Sequence, residues 1–367
     1  MNKGKKYRSY GTCKVAIGRR SYHNAVPTGL FLLCFLVLFA SCHHNPLDID
    51  VSKVNVPQVK VERMEQDMFT MPPDSVNQYT RKLLKKYGIF YANFVTGFIN
   101  DAGIMDSSYS IALKHFITDR DMRNTYDSCE KAYPDLSFLE NGLTDAFKHF
   151  RYYFPNMYLP RVVTVMSGYN YGLVYYDSTL AISLEMYLGA HNAYYGMLSF
   201  PHFKTMHMTK DYMVSDAVYG WLESIFKPNE DNPDSHSNDL LSQIVHEGKV
   251  MYALDAMLPN VNDTIKMRYT KKQWEWCKEN EFNMWAFIIR QKLLYSTDLS
   301  DISKLTDDGP FTSYFNHDIS PSRTGYWLGW EIVKTYMENN PSVTLPQLMA
   351  EKSADKILKE SGYKPSK

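Results

Sequence analysis

The residues with the most chemical potential fall in one predicted helix, from about Ser237 to Leu258. Leu240, Leu241, Ile244, Gly248, Met251 and Tyr252 recur there at helical spacing; at about 100° per residue, Asp255 falls inside that stripe and Glu247 on its edge. Both carboxylates therefore point inward. An ionised acid on a buried face needs a hydrogen-bond donor, a cation or a metal, because leaving it unpaired costs several kcal/mol. The two acids are thus either satisfied structural groups or members of a site. Three further residues complete the candidate pocket: Glu185, Arg323 and Tyr326. Glu185 follows a strand-like run beside Gly189, where sites often lie, although its simplest reading is a surface or edge acid. Arg323 opens the segment Arg-Thr-Gly-Tyr-Trp-Leu-Gly-Trp and could pair with Glu247 or Asp255.

The familiar catalytic motifs are absent. A helix-type zinc hydrolase needs His-Glu-x-x-His, which places two imidazoles on one face at i and i+4 with the Glu beside the bound water. The chain offers His246-Glu247-Gly248-Lys249-Val250, with Val250 at the second imidazole position and His246 directed away from the stripe. The preceding helix, Met213 to Phe226, contains no histidine and buries Val214, Ala217, Val218, Trp221 and Ile225 on one face. His202 and His207, five apart, suit neither a helical nor a strand metal pair and read as loop or surface residues. His115, His149 and His317 are isolated, and no Gly-x-Ser-x-Gly elbow or phosphate-cradling glycine loop occurs. These motifs predict no catalytic residues and no metal.

Residues 1–41 read as a lipoprotein signal peptide. Lys3, Lys5, Lys6, Arg8, Lys14, Arg19 and Arg20 precede the apolar run Gly29 to Ala40, which is too short to span a bilayer and ends in Ala40-Ser41 before Cys42. Cys42 is then the lipidated residue, with 42–53 a tether and 54–367 the globular domain; Phe39 departs mildly from the usual leucine. The whole chain has 40 basic and 40 acidic residues. Loss of the seven leader cations leaves the remainder mildly acidic. With no Lys/Arg-rich stripe, nucleic-acid binding has no electrostatic footprint. The lipid on Cys42 is the expected membrane attachment and the only expected cofactor. Cys129 and Cys277 remain, each in a helical pattern, as a possible disulfide in an oxidising envelope.

Elsewhere, Val54 to Arg63 suggests a first edge strand, and helices are predicted over Ser108–Tyr133, Leu136–Phe150 and Lys271–Tyr295, the last rich in tryptophan and expected to be mostly buried. Between Pro155 and Gly189 the period changes to two. Arg161–Ser167, Leu173–Asp177 and Thr179–Tyr187 read as a small antiparallel meander with a turn at Asp177-Ser178. The paired glycines Gly325 and Gly329 would permit close backbone approach. The expected fold is a mainly α-helical single α+β domain with a small antiparallel sheet.

Several stretches resemble the gliding-motility lipoprotein B (GldB) family of Bacteroidetes envelope lipoproteins. They are Cys42, Val59–Arg63 leading to Asp67-Met-Phe69, Ile182–Gly189, Glu247–Pro259 and Arg323–Trp330; where family members often carry Asp in the strand motif, this chain has Glu185. The resemblance implies an outer-membrane lipoprotein, facing periplasm or cell surface, in machinery linked to gliding and its associated secretion system. It carries no established activity, so the implied role is accessory or structural, with envelope proteins as partners. The order of sheet, helix, Glu-Gly helix and Gly-Tyr-x-x-Gly segment is also similar to predicted zinc-dependent peptidases. By that analogy Glu247 matches a third zinc ligand and Met213–Phe226 the zinc helix without its ligands, a degenerate gluzincin-like arrangement kept as a binding scaffold. The alternatives are a hydrolase using Glu185, Glu247 or Asp255, and a carbohydrate or small-ligand binder using the Tyr/Trp-rich surfaces.

Overall fold

Two interior strands divide the helices into two layers. In the computed structural model, which describes residues 45–227, 238–315 and 319–367, four strands form one sheet: β1 (Glu62–Arg63), β2 (Arg161–Val165), β3 (Leu173–Tyr176) and β4 (Thr179–Ser183). The signal peptide, Cys42 and His317 lie outside the described residues, as does Ser237, the expected start of the central helix.

The sheet order is β1-β2-β4-β3, with β1 and β2 parallel, β2 and β4 parallel, and β3 antiparallel to β4. It is a mixed sheet rather than the expected antiparallel meander. The reason is burial. Arg-Val-Val-Thr-Val and Thr-Leu-Ala-Ile-Ser are buried on both faces, so β2 and β4 take the centre side by side, and β3, with Tyr176 exposed, is left at the rim. The β3–β4 turn is where the sequence places it: Asp177 and Ser178 both have positive φ, as a two-residue hairpin turn requires. Of the predicted strand Val54–Arg63 only the last two residues pair, at the opposite edge.

One face of the sheet, through Val163, Val165 and Ala181, packs on the amino-terminal helices α1 (Met64–Phe69), α2 (Val76–Tyr87), α3 (Ile89–Phe98), α4 (Tyr109–Thr118) and α5 (Arg120–Ala132). The expected single helix Ser108–Tyr133 is two. Asp119 leaves the helical conformation and caps α5, accepting from the backbone N–H groups of Asp121 and Met122, both at 2.9 Å. The other face, through Val162, Leu180 and Ile182, meets the larger core. That core contains α6 (Ser137–Tyr153), α9 (Lys210–Ile225), α10 (Leu240–Met257), α12 (Lys271–Arg290) and α14 (Thr324–Asn339). The short helices α7 (Ala193–Met197), α8 (His202–Thr205), α11 (Asp263–Met267), α13 (Leu299–Thr306), α15 (Leu345–Ala350) and α16 (Ala354–Ser361) complete the unit Pro46–Lys367. The tryptophans of α12 are half-buried rather than buried, lying over the core. Cys129 and Cys277 are buried free thiols, with no disulfide between them.

Helices α10 and α14 touch backbone to backbone. A Cβ added to Gly329 would sit 1.6 Å from the Ile244 carbonyl oxygen, and one added to Gly248 would sit 2.1 Å from the Gly329 oxygen. No other residue fits these positions without separating the helices. The glycines of the sequence motifs are thus a seam, and they fix where Glu247, Asp255 and Arg323 stand.

Candidate functional site

Helix α9 carries a second stripe opposite its apolar one. Asp216, Tyr219, Gly220 and Glu223 fall at i, i+3, i+4 and i+7, and all four line a cavity of about 300 Å³. Leu173 and Tyr175 of the edge strand β3 close one wall, Met251 of α10 and Met267 form apolar patches, and Arg268, Arg323 and Tyr326 face the space from the segments after α11 and at the head of α14. The lining therefore mixes apolar side chains with charges and phenols.

Two of its arginines sit on strained backbone. Arg268 has φ 57° and Arg323 φ 54°, the left-handed region that L-residues other than glycine rarely occupy. The conformation at Arg323 is held by Tyr269, whose buried hydroxyl lies 3.0 Å from the Ser322 carbonyl oxygen and 3.1 Å from that of Arg323. Arg268 donates to Asp216 at 3.1 Å, and Asp216 also accepts from Tyr187 at 3.2 Å. Arg323 donates from Nη2 to the Met267 carbonyl at 3.1 Å, while its Nε is buried without a partner. It pairs with neither Glu247 nor Asp255, so the expected ion pair does not form.

Glu247 stands one hydrogen bond behind the cavity wall, accepting from the Tyr219 hydroxyl at 2.9 Å. Burial pushes its carboxyl up to about 7, Glu223 adds to the rise, and Tyr219 and Arg323 oppose it. Glu223 is raised by burial too, with Arg323 opposing. Asp255 occupies a different environment on the same helix. It pairs with Lys266, which also binds Asp263 at 2.7 Å, and it accepts from the Trp330 indole N–H at 2.6 Å. Burial pulls the Lys266 pKa down, but Asp255 and Asp263 outweigh it and raise it above the usual lysine value.

Glu185 is outside this constellation and is not the surface or edge acid the sequence suggests. It is fully buried in a short 3₁₀ turn, Leu184–Tyr187, after β4, accepting from the Ser167 N–H at 2.6 Å and the Ser167 hydroxyl at 2.9 Å. Its second oxygen has no partner, and burial raises the carboxyl to about 7. His207 is also buried rather than at the surface. Its Nδ1 donates to the Phe203 carbonyl at 3.1 Å, and burial with the nearby Arg268 and Arg323 lowers its pKa to about 4. His202 opens α8.

Tyr326, Arg323 and, through Tyr219, Glu247 are thus brought together. Asp255 reaches the cavity only through Lys266, and Glu185 does not reach it. Sequence reading missed Asp216, Tyr219, Glu223, Arg268 and Tyr269. The first three were detectable as a polar stripe at helical spacing in an otherwise apolar helix; Arg268 and Tyr269, in a turn, leave no periodic signal.

The peptidase analogy can be tested on the donor set. Opposite Glu247, the i,i+4 pair on α9 is Tyr219 and Glu223, where a helix-type zinc site would present two imidazoles, and Gly220 stands where its general base would be. A phenol hydrogen-bonded to Glu247 and one lip carboxylate do not fit that zinc set. Among the described residues, no group of three or more His, Cys, Asp or Glu side chains could hold a metal ion.

Comparison with known proteins gives one finding. The family model for gliding motility protein GldB matches residues 44–365. The chain belongs to that family, and the match spans both helical layers, the sheet and the cavity. No curated protein and no solved structure matches it.

Proposed function

We propose that this member of the gliding motility protein GldB family is a lipoprotein, attached to the outer membrane through lipid on Cys42. We read it as a non-catalytic binding component of the envelope machinery for gliding and its associated secretion system. The observation that carries the non-catalytic reading is the Tyr219–Glu247 hydrogen bond. It ties up the acid of the Glu-Gly helix with a phenol from the helix where a peptidase would keep its metal ligands. The acids also lack the arrangement of a catalytic pair, since Asp255 is committed to Lys266 and Trp330. The attachment rests on the leader and Cys42.

The test is fractionation and crosslinking of the full chain in envelopes. Wild type should fractionate with the outer membrane and crosslink to other envelope proteins; Cys42→Ser should leave the membrane fraction. Turnover of peptide substrates by wild type that disappears in Glu247→Gln, with the fold intact, would overturn the non-catalytic reading.

A further inference from the structure

We propose that the cavity between α9, β3 and the head of α14 binds a single carboxylate group carried on an apolar body, with Arg323 as its counter-charge. The inference rests on the binding role proposed above and names what that site takes.

Of the three cations that line the cavity, Arg323 is the one without a counter-ion among the described residues. Lys266 has Asp255 and Asp263, and Arg268 has Asp216. Among the described residues Arg323 forms no ion pair, its Nε is buried without a partner, and Glu223, Glu247 and Asp308 act on it only at longer range. A half-buried guanidinium with a buried, unpartnered Nε and no carboxylate is costly, and the fold adds backbone strain by holding Arg323 and Arg268 left-handed at one cavity. Strain of this kind persists where the surroundings enforce it, and here Tyr269 does so.

The lining selects the ligand. A planar guanidinium with free donors matches a carboxylate in a two-point contact. Arg323 offers one positive charge, opposed by Glu223 of the same lining, itself unpaired among the described residues, so a monoanion is better matched than a phosphate dianion, whose second charge has no partner. Leu173, Met251 and Met267 offer an apolar wall for the attached group. That chemistry has two sources: a free apolar monocarboxylic acid, or the carboxy-terminal residue of a peptide chain leaving along the β3 edge.

Binding to the full chain in detergent, followed by calorimetry and Tm, separates them. The probes are N-acetyl-leucine, a hexapeptide ending in a free leucine carboxylate, and the amide of each. At least one of the two acids should bind roughly tenfold or more tighter than its amide. Arg323→Met should abolish that preference and Arg323→Lys should keep part of it. Ligand-free Arg323→Met should melt no lower than wild type, since it removes an unpaired charge and a buried N–H without an acceptor; a purely structural arginine would give the opposite. A peptide acid that outbinds N-acetyl-leucine tenfold or more identifies a chain end, and N-acetyl-leucine that binds as well as or better than the peptide identifies a free acid. Acids and amides that bind alike, or no binding by any probe, overturn the proposal. If Arg323→Met does not fold, the acid–amide comparison in wild type decides alone. Loss of carboxylate binding with partner crosslinks intact and no cleavage refutes this inference only; cleavage of the hexapeptide refutes the non-catalytic function instead.

Discussion

Glu247 and Asp255 lie two turns apart on α10, and the fold treats them oppositely. Asp255 is closed in on both oxygens, by Lys266 and by the Trp330 indole, inside the aromatic cluster of Trp274, Trp327 and Trp330. Glu247 faces a phenol and, beyond it, a cavity holding an unpaired arginine. An inward acid is therefore not a site in itself. What distinguishes the two is whether the local cation is used up: Lys266 is, and Arg323 is not.

The sharpest way to break this contrast is to empty the closed end. Asp255→Ala leaves the buried Lys266 ammonium with only the half-exposed Asp263 and the Trp330 indole N–H with no acceptor, and should cost about 3 kcal/mol in chemical denaturation. A loss below about 1 kcal/mol would mean that the pair is solvated and the two ends alike. Next comes the seam that carries both acids. Gly248→Ala drives a methyl into the Gly329 carbonyl and should cost about 3 kcal/mol, the upper end of overpacking, with carboxylate binding weakened as α14 shifts. Unchanged Tm and unchanged binding would contradict the seam's positioning role.

A third comparison uses pH. The folded Glu185 carboxyl titrates near 7 against 4.5 unfolded, so between those values the native state holds the extra proton. Its contribution is full below about 4.5 and is lost as pH rises through about 7. Relative to Glu185→Gln, wild type should lose about 3 kcal/mol across that window. His207 and His246, lowered by burial to about 4 from 6.5, act in the opposite sense, so the variant difference rather than the raw profile isolates Glu185. A flat difference would mean that Glu185 is ionised throughout. The smallest effect is expected at the open end. Glu247→Gln keeps an acceptor for Tyr219 and, compared below about pH 4.5 where Glu247 is protonated folded and unfolded, should change stability by less than about 1 kcal/mol.

Much of this contrast was legible in the sequence. Helical phase placed both acids inward, the Gly325/Gly329 pair announced a close backbone approach, and the change of period located β2 to β4. Strand order was not legible, because it depends on which strands are buried on both faces, a property of the helices above and below. Nor was Arg323's isolation. Its pairing with Glu247 was chemically reasonable, and only the left-handed turn held by Tyr269 directs the guanidinium elsewhere. Glu185 looked peripheral because it ends a strand, yet the strand is interior and the acid follows it into the core.

The most direct test of the binding reading is the metal content of the full chain purified without chelators, with wild type beside Glu247→Gln. The donor set of Tyr219, Glu223 and Glu247 predicts no stoichiometric zinc in either protein. About one zinc per chain in wild type, lost in Glu247→Gln, would make Glu247 a ligand and contradict the separation of a closed structural acid from an open binding cavity.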